Sequence, residues 1–321
     1  MINYKNGGIH NYVYTVFQHV GKLAGKNMYN KYKNCCLCPR KCGVDRLSGK
    51  NGLCGENAEI RVGRVALHYW EEPCISGEKG SGTVFFAGCN LKCIYCQNYS
   101  LSRSAKGIKK SVEELKTEFL KLQSDGAHNI NLVTAEHFAP SVKDALIRAK
   151  GAGLKIPVIL NSSGYVTEET LEFLKDVIDI YIVDFKYMSE KLSKEFSAAE
   201  DYPAVAKRAL QKMTELQPKL VFEDETMKKG VIVRHLCLPG NTEDSKMVIK
   251  YIYDTYKDSV VLSVMSQYTP MPACKNHPLL KRKLSKKEYD NIIDFCIKIG
   301  VENAYIQEGD AASESFIPEF R

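Results

Sequence analysis

From Gly82 onward, short apolar runs alternate with stretches whose apolar residues recur every three to four positions. The runs are rich in Val, Ile and Leu and predict strands, whereas the periodic stretches predict amphipathic helices. The predicted strands are GTVFFAG (82–88), NINLVTA (129–135), IPVILNSS (156–163), IDIYIVDFKY (178–187), GVIVRHLCLPG (230–240) and SVVLSVMSQYTP (259–270). A short last strand is predicted at AYIQEG (304–309). The helix signals between them are specific. Ser111 and Glu114 form a capping box and Gly126 stops that helix, Pro140 opens the next, and Thr167 caps the one after. YPAVAKRALQKMTEL, EDSKMVIKYIYDTY and SKKEYDNIIDFCIKIG complete the series. Strands apolar on both faces belong in a parallel sheet covered by helices. Six strand–helix units predict an α/β fold, a partial (β/α)6 TIM-like barrel rather than two Rossmann halves.

Residues 1–80 break this pattern. They hold six cysteines, several glycines and no long periodic segment, which predicts a small Cys-rich metal-binding module at 1–80 ahead of a core domain at 81–321. The opening residues MINYKNGGIHNYVYTVFQHV lack the apolar centre of a signal peptide. No run approaches the roughly 18 apolar residues of a membrane helix. The expected location is therefore a reducing cytoplasm.

Composition adds one informative number. Hydrophobic residues at 44% and charged residues at 26% are ordinary for a globular chain of 321 residues, which excludes wholesale disorder. The net charge of +7 is mild; it suits an acidic protein partner as readily as nucleic acid, and no clear nucleic-acid signal accompanies it. The 12 cysteines are different, because nine of them lie between Cys35 and Cys96. In a reducing compartment, clustered thiols bind metal more often than they pair.

Each predicted strand ends in polar residues. They are Thr134-Ala135-Glu136-His137, Asn161-Ser162-Ser163, Asp184 and Lys186, Arg234-His235, Ser266-Gln267-Tyr268, and Gln307-Glu308. In a parallel barrel these ends converge at one mouth, where active sites sit. Asp184 and Lys186 are two apart and share a face, costly inside an apolar strand unless paired or used. Arg234 follows three β-branched residues and suits a bidentate grip on a carboxylate. His235 points the opposite way and reads as structural. His68 and Glu71, just ahead of the first strand of the series, are placed to cover the mouth.

Directly after that first strand comes Cys89-Asn-Leu-Lys-Cys93-Ile-Tyr-Cys96. A tetrahedral zinc site wants a fourth ligand nearby, whereas three thiolates suit a [4Fe–4S] cluster with one iron left open. This C-x3-C-x2-C spacing, with an aromatic residue before the last cysteine, resembles the signature of radical S-adenosylmethionine (SAM) enzymes. Together with CPRKCGVDR, EEPCISG, NSSGY, DIYIVDFKY, RHLCLPG and SQYTP, it is similar to an iron–sulfur branch of that superfamily related to pyruvate formate-lyase-activating enzyme. The likeness runs from about Cys35 to Gln307.

The resemblance implies a cluster on Cys89, Cys93 and Cys96, with SAM chelating the open iron. SAM would be cleaved to methionine and a 5′-deoxyadenosyl radical that abstracts hydrogen from a protein, peptide or small-molecule substrate. It implies that Tyr95 and Asn98 lie near the adenine, that Asp184 and Lys186 lie near SAM, and that Arg234 grips the SAM carboxylate. Asn161, Ser162 and Ser163 would line the ribose and methionine end. Many relatives carry a glycine-rich stretch with an acid after the second strand. Here the glycines are replaced by Thr134 and Ala135, leaving Glu136 to keep the acid role. A glycyl-radical activase acting on a protein partner is the alternative within this reading. A non-catalytic zinc or iron–sulfur interaction module is the alternative outside it. The cluster needs an electron donor, and the net charge points to an acidic flavodoxin or ferredoxin.

Cys35, Cys38, Cys42 and Cys54 give C-x2-C-x3-C-x11-C, enough for a closed site holding zinc or a second iron–sulfur cluster. Cys36 competes with Cys35 for a place in it. Cys74 is either a further ligand or a buried thiol, and Cys237, Cys274 and Cys296 read as packing residues.

Overall fold

A computed structural model of the protein describes residues 27–103 and 106–307. Glu308, expected at the end of the last strand, lies outside them. The parallel strands are β2 (Ser81–Phe86), β4 (Ile130–Val133), β5 (Val158–Ser162), β6 (Ile180–Asp184), β8 (Thr226–Leu236), β9 (Val261–Met265) and β10 (Ala304–Ile306). They lie side by side in chain order, β10-β9-β8-β6-β5-β4-β2. An order that never reverses belongs to a singly wound barrel rather than a doubly wound sheet. Among the described residues β10 pairs with β9 alone. Beyond β2 the sheet turns antiparallel through β1 (Ile60–His68) to β3 (Ile108–Lys110), so the barrel stays open on one side. The expected partial barrel is the observed fold.

The expected helix ends match. Ser111 and Ser285 both form complete capping boxes, for helices Val112–Ser124 and Lys286–Lys298, and Thr167 caps Glu168–Leu174. Residues 1–80 had shown no periodic segment, yet β1 joins the main sheet. A bulge between Val62 and Arg64 shifts the register against β2 and breaks the alternation that would have revealed it. Gly63 sits there because a Cβ would come within 2.4 Å of the Leu101 side chain. The sheet therefore runs across the division expected at residue 80.

The two faces of the parallel strands fall into two separate cores. Leu132, Val158, Leu160, Tyr181, Val183, Val231, Val233 and Leu262 pack outward beneath the helices. Ile159, Ile180, Ile182, Ile232 and Val261 point into the barrel, where Cys74 and Ile75 fill the lower interior. Both come from α1 (Pro73–Ser76), a single turn that plugs the barrel from below. Higher on the same inward columns the residues turn polar. Ile159 is followed by Asn161, Ile182 by Asp184, Ile232 by Arg234 and Val261 by Ser263. Strand periodicity of two thus carries an apolar floor into a polar mouth.

Candidate functional site

Above that floor lies a cavity of about 480 Å³. Inward residues of the parallel strands line it, among them Asn161, Ser163, Asp184, Lys186, Arg234 and Gln307, and so do Cys89, Cys93 and Cys96. Tyr95, Asn98, Thr134, His68 and Glu71 reach it as well. Among the expected residues, Glu136, His137, His235, Ser266 and Tyr268 do not line it. Glu136 is buried in the turn Glu136–Phe138 behind Ser162, and burial raises its carboxyl while a hydrogen bond from Ser162 lowers it. Ser162 does line it, and its Oγ accepts a hydrogen bond from the Gly164 backbone at 3.2 Å. His235 is buried and bonds the Phe185 carbonyl through Nδ1 at 2.8 Å, the structural role expected of it.

The cysteine loop is held like an added strand. Lys92 N–H donates to the Ser197 carbonyl at 3.1 Å, and Ile94 N–H to the Phe196 carbonyl at 2.9 Å. A hydroxyl chain fixes the side chains from the same helix end: Tyr95 Oη to Tyr187 Oη at 2.5 Å, Tyr187 Oη to Ser197 Oγ at 2.8 Å, and Ser197 Oγ to Cys93 Sγ at 3.0 Å. Burial, with Cys93 and Cys96 beside it, pushes the Cys89 thiol up. The three thiols line one cavity from a single loop, as one donor set would. Three thiols on one loop suit an iron–sulfur cluster with one open iron better than a closed tetrahedral zinc site.

Charge is placed as firmly. Lys186 Nζ meets Asp184 Oδ2 at 2.5 Å. Burial pushes the Lys186 ammonium down, but Asp184 and Cys93 outweigh it and hold it well above the ordinary lysine value. Tyr202 ties the two strand ends together, its hydroxyl shared between the carbonyls of Ser163 at 2.9 Å and Asp184 at 2.7 Å. The carboxylate that Arg234 grips is the protein's own. Its Nε donates to Glu72 Oε1 at 2.8 Å, and Nη2 reaches both Glu72 and Glu71. Glu72 was not foreseen; the signal was two consecutive acids directly before a helix-opening proline.

The position of the missing glycines keeps a glycine-like backbone. Thr134 has φ +58°, in the left-handed region that a β-branched residue enters only under strain. Its N–H is held by the Asn161 carbonyl at 3.0 Å.

A singly wound partial barrel, with three thiols entering the cavity beyond the first parallel strand, defines the class as a cofactor-dependent α/β enzyme. The chain belongs to the radical SAM superfamily, whose family model matches residues 83–252. It is therefore an enzyme of SAM-cleaving radical chemistry, which implies a [4Fe–4S] cluster and SAM as cofactors. It is 29% identical over 283 residues to the uncharacterized protein MJ0674 of Methanocaldococcus jannaschii, covering 86% of this chain and 78% of that one. It is 25% identical over 226 residues to MJ1227 of the same organism, provisionally named a glycyl-radical enzyme activating enzyme, covering 67% and 89%. Among solved structures, anSMEcpe with bound AdoMet is 16% identical at a TM-score of 0.46, covering 68% of this chain and 61% of that one. Streptococcus suis SuiB bound to S-adenosylmethionine is 13% identical at a TM-score of 0.46, covering 69% of this chain and 48% of that one. This chain thus spans about half the length of the SuiB chain. Among the described residues no helix is long and apolar enough to cross a membrane.

Proposed function

We propose that Cys89, Cys93 and Cys96 hold a [4Fe–4S] cluster at the barrel mouth and that SAM occupies the cavity beside it. The observation that carries this is the entry of these three thiols into a cavity of about 480 Å³ that Asn161, Asp184, Lys186 and Arg234 also line at the strand ends. When bound and reduced, the cluster would supply the electron that splits SAM into methionine and a 5′-deoxyadenosyl radical. The protein's part is to hold charge and shape. Lys186, pinned by Asp184, presents a fixed positive charge near Cys93. Tyr95 and Asn98 form the adenine side, and Asn161 and Ser163 the ribose and methionine side. Glu136 acts through Ser162 rather than by touching the ligand. Arg234, neutralised by Glu71 and Glu72, forms the floor, and a direct grip on the SAM carboxylate would require one of those acids to yield.

The radical so generated would abstract hydrogen from an unidentified protein, peptide or small-molecule substrate. Activation of a glycyl-radical enzyme is the second reading, favoured by the likeness to MJ1227. Residues 1–80 would serve as metal module and barrel plug, and 81–321 as the radical SAM core. Arg40, Lys92 and Arg103 bond the cysteine loop at Asn90, Cys89 and Cys93. This basic rim suits an acidic flavodoxin or ferredoxin in a reducing cytoplasm. The test is product release. Anaerobically reconstituted protein with dithionite should convert SAM to 5′-deoxyadenosine, and Cys93→Ala should release none. Equal release from both proteins would refute the assignment.

A further inference from the structure

Outside the cavity, the strongest unexplained feature is a fully buried arginine. Arg46 is 1% exposed. Its guanidinium stacks over Tyr32 at 4.8 Å and lies near the Phe138 ring at 5.5 Å. Nη2 donates to the Asn57 carbonyl at 2.6 Å, and Nη1 to the His137 carbonyl. Nε is buried without a hydrogen-bond partner. Among the described residues no carboxylate forms an ion pair with it. Glu56 senses its charge, but is paired with Arg61 at 3.3 Å. A buried guanidinium with no anion is costly, so a counter-charge is missing.

The groups Arg46 faces are thiols. Its Nη1 reaches Cys35 Sγ at 3.7 Å. Cys42 Sγ and Cys54 Sγ lie 3.3 and 3.5 Å from the point where a Cβ on Gly52 would sit, and Arg46 Cδ lies 3.8 Å from it. Cys35, Cys38 and Cys54 are buried and Cys42 half-buried, whereas Cys36 is exposed. Cys35 therefore takes the place for which the two competed.

We infer that Cys35, Cys38, Cys42 and Cys54 hold a second, closed [4Fe–4S] cluster, with Arg46 as its buried counter-charge. Four thiolates on such a core carry the negative charge that Arg46 lacks. Zinc on the same four thiolates would balance Arg46 as well, and the iron content of the variant below separates the two. The site also abuts the catalytic loop. Cys89 N–H donates to the Cys54 carbonyl at 3.0 Å, and Arg40 Nε to the Asn90 carbonyl at 3.0 Å. One hydrogen bond thus joins a ligand of each site, a short path for an electron moving between them. Only this relay rests on the reading of Cys89, Cys93 and Cys96; the second cluster does not.

The test uses the full chain carrying Cys89→Ala, Cys93→Ala and Cys96→Ala together, reconstituted anaerobically with iron and sulfide. The second cluster predicts about four irons and four sulfides per chain, against about eight in the unaltered protein. No iron in the triple variant, or about one zinc in its place, would overturn the inference. Four irons here beside full SAM cleavage would instead overturn the catalytic assignment. Arg46 is tested in the same background by redox titration. A positive charge favours the reduced, more negative cluster, so Arg46→Met should lower the midpoint potential and Arg46→Lys should largely keep it. Equal midpoints for all three would remove Arg46 from the site, as a purely structural arginine would not move the potential.

Discussion

Arg234 enters the cavity floor already holding Glu71 and Glu72, and this arrangement sets a pH dependence. Burial opposes the charged form of Glu72, but Arg234 overcomes it and holds the carboxyl below its ordinary value. A carboxyl depressed in the folded state contributes stability above the ordinary carboxylate range, and that stability is lost as pH falls through its folded value. Arg234→Met leaves two buried acids unpaired and should cost about 3–5 kcal/mol at neutral pH. With burial the largest influence left on Glu72, ahead of the hydrogen bonds from its backbone and Ser263, the sign reverses and the variant should regain stability as pH falls. Urea unfolding at pH 7 and pH 4.5 checks this, and parallel pH profiles for the two proteins would contradict it. Gly164 is a second sensitive position. At φ +78°, an added Cβ would lie 2.5 Å from the Asp184 carbonyl. Gly164→Ala should therefore cost more than about 1 kcal/mol in the same assay. The spacing of Cys89, Cys93 and Cys96 was legible from the chain alone because it is local. The partnership of Arg234 with Glu72 was not, as 162 residues separate them.

The elements divide along the same line. Capped helices and all-apolar strands announce themselves within a dozen residues, and each one predicted between Gly82 and Ile306 is present in some form. What escaped were pieces defined by distant partners. The bulged strand β1, the hairpin of β8 with β7 (Val221–Glu223) and the helix Glu190–Ser197 that docks the cysteine loop all belong there. The plug α1 is the telling case. Pro73-Cys-Ile-Ser is too short to read as a helix, yet Ile75 is fully buried among the inward isoleucines of three strands. Ile75→Ala should cost about 2–5 kcal/mol in chemical denaturation. It should also weaken SAM binding, since Glu71 and Glu72 lead directly into the plug. Full stability in that variant would show that the barrel closes without it.

At the scale of the whole molecule, the open barrel, the cavity and the cysteine-rich segment act as one unit. Residues 60–76 supply a strand to the sheet, two acids to the floor and the plug beneath it. The net charge of +7, with Arg40, Lys92 and Arg103 around the loop, implies that reduction by an acidic donor slows as ionic strength rises. Dithionite-driven cleavage serves as the control and should change far less; equal salt dependence for both would contradict the basic-rim reading. The central claim is that the cluster on Cys89, Cys93 and Cys96 leaves one iron open to SAM. It is tested most directly by electron paramagnetic resonance on reduced protein carrying Cys35→Ala, Cys38→Ala and Cys54→Ala, which isolates that cluster. Adding SAM should change the spectrum of the isolated cluster. A cluster signal that is identical with and without saturating SAM would contradict the account.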